Sequence, residues 1–261
     1  MFERDRMLKC AVKQEDRLFL SKIIDRAVRA YRSKEVTYSD FLDPSQQHIL
    51  EKAMDLQDEV TYELDGGYEG AERAVAFFYP IEPFYSETES PIKLLNVSVK
   101  SADVLTHRDY LGSLMGMGIK REKIGDILVS AEGCNLFIHK EVSDYIIYNL
   151  VKVGRLNASV EYGNPELLEA PNKEAKEIKT TVASMRLDCI VSAGYSISRS
   201  RAAEFIKAEK VNKNWENTSD ISAVVKSGDT ISFRGHGRLI VESEGHKTKK
   251  GRIAVVLNRL I

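Results

Sequence analysis

Residues 185–214, MRLDCIVSAGYSISRSRAAEFIKAEKVNKN, constrain the fold of this chain more than any other stretch of its length. They encode a short helix, a tight turn, a second helix opened by Ser-Arg-Ser-Arg, and the start of a strand. The apolar residues Leu187, Ile190, Val191, Ala202, Phe205, Ile206 and Val211 fall at spacings that bury one side. The cations Arg186, Arg199, Arg201, Lys207, Lys210 and Lys213 are left for the other side. A packed helix pair with a basic face is a surface for phosphate.

Ser198 is placed to cap the second helix by accepting a bond from a free backbone N–H. Arg199 and Arg201, with Ser200 between them, then lie in the first turn, where the helix dipole disfavours cations by a few tenths to about 1 kcal/mol. Guanidinium forks beside the free N–H groups of a helix start would make an anion site. Downstream, Val211 to Asn214 reads as a strand running into a turn, and Gly228-Asp229 as a second turn before another strand. Together these features resemble the RNA-binding domain named after small-subunit ribosomal protein four, the alpha-L motif. The residues that carry the resemblance are Arg186-Leu187-Asp188, Ser198-Arg199 with Ala202, and Val211 with Asn214. The chain departs from it once: many relatives have Gly after that Asn, and here Trp215 follows. A tryptophan there either stacks on a base or packs at the strand end.

Length and charge agree with a modular chain. The 261 residues suggest two or three domains. Net charge is only −1, but it is unevenly spread. Residues 181–261 carry 14 Lys and Arg against 8 Asp and Glu, a net of +6, and residues 1–180 carry 24 against 31, a net of −7. Residues 36–75 are the most acidic part, with 2 basic against 10 acidic residues. Cys10, Cys134 and Cys189 form no metal or disulfide pattern, which points to a reducing cytoplasm with no metal or cofactor. The N-terminus MFERDRMLKC lacks the apolar core of a signal peptide, and no run is apolar enough to span a bilayer.

The periodicity predicts an α+β chain. Residues 14–33 read as an amphipathic helix with Leu20, Ile23, Ile24, Ala27, Val28 and Tyr31 inward. Asp43-Pro44 opens another helix. Residues 1–75 are therefore expected to form a mostly helical domain. Residues 71–80 and 92–100 read as strands. Thr106 caps a helix with Asp109 at its third position and Tyr110, Leu111, Leu114 and Met115 inward. Residues 126–139 read as a hairpin around Glu132-Gly133. Residues 140–152 read as a helix with Val142, Tyr145, Ile146 and Leu150 inward, and 158–162 as a strand. From Ile92 this is β-α-β-β-α-β, a ferredoxin-like (split βαβ) domain over 76–162 with an extra leading strand. Such folds often carry RNA on the open sheet face, although a fold alone does not give a function. Residues 163–180, with two prolines and many charges, read as a linker. Residues 181–261 form the small basic domain, whose last hairpin presents Lys247, Lys249 and Lys250 at its tip.

The order of parts, with THRDYLGSLMGMGIKREKIGDIL at 106–128, resembles the bacterial YlmH family over nearly the whole chain. The resemblance implies a cytoplasmic RNA-binding protein; a monomer is expected, and the residues themselves show no nucleophile–base pair, metal-ligand spacing or phosphate-cradling Gly loop, so no catalytic site is expected. Such a protein would bind rRNA and tRNA on the large ribosomal subunit and act in quality control or rescue of obstructed subunits. The genes of this family lie in a cell-division cluster. By position, Arg186, Ser198, Arg199, Ser200, Arg201, Lys207, Lys210, Lys213 and Asn214 would contact RNA. His107, Arg108, Lys120, Arg121 and Lys123 would form a second surface, unless they serve only capping and turns.

Two other classes of function compete. Similar small domains accompany pseudouridine synthases, rRNA methyltransferases and tyrosyl-tRNA synthetases. Arg186-Leu187-Asp188 resembles a synthase's catalytic setting but sits inside the small domain. Gly112, Gly116 and Gly118 have the wrong spacing for a cofactor loop, and no His-x-Gly-His occurs. Alternatively, the chain is a partner of division proteins, its acidic stretch 36–75 engaging a basic surface.

Overall fold

The computed structural model describes residues 3–11, 13–81, 89–99, 105–165, 168, 175–248 and 251–260. The chain divides into two compact units, Met1–Pro171 and Asn172–Ile261. The first contains α1 (Arg4–Leu8), α2 (Gln14–Ser33), β1 (Thr37–Leu42), α3 (Pro44–Met54), β2 (Val60–Asp65) and β3 (Ala74–Pro80). It continues with β4 (Ile92–Val99), α4 (His107–Gly116), β5 (Ile124–Val129), β6 (Gly133–His139), α5 (Ser143–Asn149), β7 (Lys152–Val153) and β8 (Leu156–Tyr162).

Local rules set the helices. α2 buries Leu20, Ile23, Ile24, Ala27 and Ala30 along one stripe. Tyr31, expected inward, is exposed, because the stripe ends on Ala30; the Lys34 ammonium lies 5.0 Å from its ring. α3 starts at a reciprocal cap: the Asp43 carboxylate accepts the Gln46 N–H at 2.9 Å, and the Gln46 side-chain oxygen accepts the Asp43 N–H at 3.0 Å. At α4 the Thr106 N–H and hydroxyl both donate to Asp109, each at 2.7 Å. α4 buries Tyr110 and Leu114, while Met115 is turned outward.

The N-terminal region carries a sheet beside its helices. β1, β3 and β2 form a three-stranded antiparallel sheet in that order. β1 is hard to see in the sequence because its buried positions include Thr37 and Ser39. Both are satisfied: the Thr37 hydroxyl donates to the Arg26 carbonyl at 2.9 Å, and the Ser39 hydroxyl accepts the Ala76 N–H at 2.9 Å. β3, expected to lead the central sheet, instead lies between β1 and β2, so a boundary at 75 would cut it. The predicted helix over 140–152 is also shorter. A 3₁₀ turn at Lys140–Val142 precedes α5, and Val153 then pairs with Leu156 around Gly154. Tyr145 ends half-exposed, its hydroxyl donating to the Met117 carbonyl at 3.4 Å.

The second sheet has the order β5-β6-β4-β8-β7, every neighbour antiparallel. With α4 and α5 as the crossovers, this is split βαβ connectivity. Strand alternation builds three layers of core. On β4 and β6, Leu95, Val97, Leu136 and Ile138 face α4 and α5. Leu94 and Phe137, one residue out of phase, join Phe41, Val75 and Phe77 of the three-stranded sheet. Ala76 and Phe78 of β3 point the other way, into the core under α2 and α3. Around Leu94 and Phe137 this sheet face is therefore covered, whereas Ser98, Ser159 and Glu161 toward β8 are exposed. Asp126 of β5 reinforces the join, accepting from the Tyr68 hydroxyl at 2.8 Å and from the N–H groups of Glu72 and Arg73 at 2.6 and 3.1 Å.

The second unit contains β9 (Ala175–Val182), α6 (Leu187–Tyr195), α7 (Arg199–Lys207), β10 (Val211–Lys213), β11 (Glu216–Asn217), β12 (Thr230–Phe233), β13 (Gly237–Lys247) and β14 (Ile253–Leu260). They form one antiparallel sheet, β11-β10-β12-β13-β14-β9. Residues 175–180, read as linker, are a strand paired with β14 from Ala175↔Leu260 to Val182↔Ile253. The rest of the predicted linker, apart from 163–165 and 168, lies outside the described residues. α6 and α7 lay Leu187, Ile190, Val191, Ala202 and Ile206 on Val211, Ile231, Phe233, Leu239, Val241 and Leu257.

Candidate nucleic-acid interface

The start of α7 is built as expected but used differently. The Ser198 hydroxyl accepts the Arg201 N–H at 3.3 Å and lies 3.1 Å from the exposed Ser200 hydroxyl. Arg199 does not simply project into solvent. Its guanidinium donates to the Asp188 carboxylate at 2.6 Å, and Arg186 donates to the other oxygen of the same carboxylate at 3.1 Å. The Asp188 side chain is only 6% exposed. Burial pushes this acid up, but the bonds from Arg199 and Arg186 outweigh it and hold the carboxyl below its ordinary range. Asp188 is thus the buried clasp joining the two helix starts.

Asp188→Asn should lower stability at neutral pH by about 2 kcal/mol, the worth of two charge-assisted bonds to one group. A depressed folded-state pKa gives stability that is present above the unfolded value, about 3.9, and lost as pH falls through the folded one. The gap between wild type and Asp188→Asn in denaturant melts should therefore shrink in acid. An equal gap at neutral and acid pH would contradict the clasp.

Arg201 and Lys210 make a different surface. The Arg201 guanidinium carbon lies 5.7 Å, and the Lys210 ammonium 5.5 Å, from the Phe205 ring centroid. Phe205 is half-buried against Phe233, centroids 4.9 Å apart, and exposed His236 stacks on Phe233 at 4.1 Å and 28°. Arg259 lies over Tyr195 at 5.1 Å and donates to the His236 carbonyl at 3.2 Å. Arg234 is exposed, and its N–H donates to the Lys210 carbonyl at 3.0 Å. Cations beside half-buried Phe205 and exposed His236, over buried Phe233 and Tyr195, suit phosphates, and the two accessible rings suit base faces. Arg234, His236, Arg238 and Arg259 were not among the residues singled out from the sequence. The only signal that includes them is the net positive charge of residues 181–261.

The remaining predicted residues divide. Lys207 is exposed in the last turn of α7. Lys213 and Asn214 are engaged by the chain itself: Asp229 accepts from the Asn214 amide at 2.7 Å, and the Lys213 ammonium lies 3.1 Å from it. The Asn214 side-chain oxygen accepts the Thr230 N–H at 2.9 Å. Lys249, Lys250 and the side chain of Lys247 lie outside the described residues.

In the first unit two residues of the second predicted surface, Arg121 and Lys123, are engaged within the chain, while His107, Arg108 and Lys120 are exposed. Lys123 is 2.5 Å from Asp40 and 2.6 Å from Glu141. Arg121 donates to the Ile124 carbonyl at 2.6 Å; burial, then the charge of Arg73, lowers it to about 10. His107 opens α4, its ring held below the ordinary imidazole value by partial burial and then by Arg121. Arg108 and Lys120 are exposed. Burial pushes the Cys134 thiol up to about 12, unsuited to a nucleophile. Among the described residues no cluster of His, Cys, Asp and Glu could hold a metal ion, and no helix is long and apolar enough to cross a membrane.

Fold and surface define an α+β chain with a paired-sheet first unit and a cationic, aromatic face on the second. The model described as "YlmH, N-terminal" matches residues 15–82, and that described as "Putative RNA-binding domain in YlmH" matches residues 86–166. The chain is 31% identical over 250 residues to "Ribosome-associated protein quality control protein P2" of Bacillus subtilis (strain 168), spanning 95% of this chain and 96% of that protein. The chain belongs to the YlmH family and carries that family's RNA-binding domain. Among solved structures, "Cell division protein ylmH from Streptococcus pneumoniae" is similar in fold, with a TM-score of 0.50 at 23% identity over 61% of this chain and 98% of that one.

Proposed function

We propose that this protein binds rRNA, together with tRNA, on the large ribosomal subunit and acts in quality control or rescue of obstructed subunits. In this reading the elements from β4 to β8 form a ferredoxin-like domain, within the 76–162 expected, and the second unit is an RNA-binding domain of the ribosomal-protein-S-four type. The protein works in the cytoplasm as a monomer and as a binder rather than an enzyme. The observation that carries the reading is the cluster of Arg201, Lys210 and His236 at Phe205 and Phe233, with Arg259 over Tyr195 and Arg234 exposed next to Phe233 in sequence. The role named for the B. subtilis relative, similar along nearly its whole length, supports it. Asp188 supports the binder over a synthase-like enzyme: its carboxylate is buried and doubly bonded to arginine, not presented to a substrate.

Backbone-directed binding through about four to six phosphates should give a log-log salt slope of about −3 to −5. Co-sedimentation with purified large subunits over a salt series measures it. Affinity that hardly moves with salt, or equal binding to both subunits, would count against the proposal.

A further inference from the structure

The chain's one tryptophan occupies a backbone position that tryptophan disfavours. Lys213 pairs with Glu216, so Asn214-Trp215 is a two-residue turn between β10 and β11, with φ of 47° and 67°. Turns of this hand favour glycine, and a bulky residue at positive φ is an outlier that points to a use. The core does not supply that use. Trp215 is half-buried and outside the buried cluster under α6 and α7. Its indole instead lies 4.1 Å from the Arg238 guanidinium.

Strand register extends this stack into a row. Asn217 pairs with Asn212, Asn212 with Ser232, and Ser232 with Arg238, so these four share one sheet face across β11, β10, β12 and β13. Among the described residues the buried Ser232 hydroxyl has no hydrogen-bond partner. A cavity of about 230 Å³ opens along the same strands, lined by Lys210, Asn212, Asn217, Ser232, Phe233 and Arg234 among others. The Asn217 amide donates to the Glu209 carbonyl at 3.0 Å and to the Asn212 side-chain oxygen at 3.2 Å, which orients the pair with the Asn212 NH2 as donor and the Asn217 oxygen as acceptor toward a base edge. The row thus offers a ring and a guanidinium plane for stacking, an oriented amide pair, and two cations for a backbone phosphate.

We propose that the Trp215–Arg238 stack receives an unpaired base of single-stranded RNA, with Asn212 and Asn217 facing the adjoining nucleotide. This rests on the RNA-binding reading above and adds the strandedness of the ligand and the residues that select it. Because Trp215 is the only tryptophan, its emission reports the site directly.

The full-length protein would be titrated with a short single-stranded oligoribonucleotide, and with the same strand annealed to its complement. Indole emission and the anisotropy of a dye on the RNA would be followed together. The single strand should change the emission along the same isotherm as the anisotropy. Trp215→Gly should melt no lower than wild type, since glycine suits the turn, and should lose about ten- to a hundredfold in single-strand affinity while keeping duplex affinity. Trp215→Phe should keep most of the single-strand affinity. Saturating single-strand binding with unmoved emission, or Trp215→Gly binding the single strand as before, overturns the proposal and leaves RNA binding intact. Absence of binding to either RNA overturns the RNA-binding reading itself.

Discussion

Arg201→Ala combined with Lys210→Ala should leave the chain folded and weaken binding to large ribosomal subunits by about thirty- to a hundred-and-fiftyfold, two phosphate contacts at roughly 1 to 1.5 kcal/mol each. Both residues are exposed and flank Phe205, and neither side chain has an ion-pair partner among the described residues. Arg201 lies in the first turn of α7, where removing a cation relieves the helix dipole, so no stability loss is expected. The salt slope should become shallower by about two as well. Thermal melts beside co-sedimentation separate affinity from folding. The same experiment with Arg199→Ala would not, because that change also leaves buried Asp188 with one partner fewer. A folded Arg201/Lys210 variant that binds as tightly as wild type would show that this face is not the ribosomal surface.

The largest structural effect is expected at Gly133. Its φ is +150°, and a Cβ placed there would lie 1.9 Å from the Val97 carbonyl oxygen on the neighbouring strand. That obstacle is backbone and cannot rotate away. Gly133↔Ser98 and Cys134↔Val97 begin the β4–β6 ladder that carries both cores of the central sheet. Gly133→Ala must therefore open this end of the ladder, at a cost of about 3 kcal/mol or more. A urea melt should show that loss, and amide exchange should show it concentrated in Val97 to Val99 and Ser130 to Leu136. A variant as stable as wild type would mean that the ladder does not close tightly there.

Sequence alone determined what is local. The Ser198 cap, the Asp43-Pro44 helix start, the inward stripe of α2 and the apolar side of α6 and α7 follow from spacing within a few residues, because helix hydrogen bonds and periodicity are short-range. The excess of cations in the last third of the chain was legible in the same way. Only the tertiary structure decided which cations face solvent and which are bonded within the chain. Arg199 is tied to an acid eleven residues away and Lys213 to one sixteen away, partners that the packing of α6 on α7 and of β10 on β12 brings together. His236 reaches Phe205, and Arg259 reaches Tyr195 and the His236 carbonyl, through strand register, which composition does not encode. Residues 175–180 looked like linker because a strand with charged outer positions is recognisable only once its partner, β14, is in place. The central sheet looked open on one face because nothing in its own strands reveals that Phe41, Val75 and Phe77, from outside that sheet, will cover Leu94 and Phe137. The difference is one of range: a helix satisfies its backbone within itself, whereas a strand's pairing and a charge's partner depend on segments that only folding brings together.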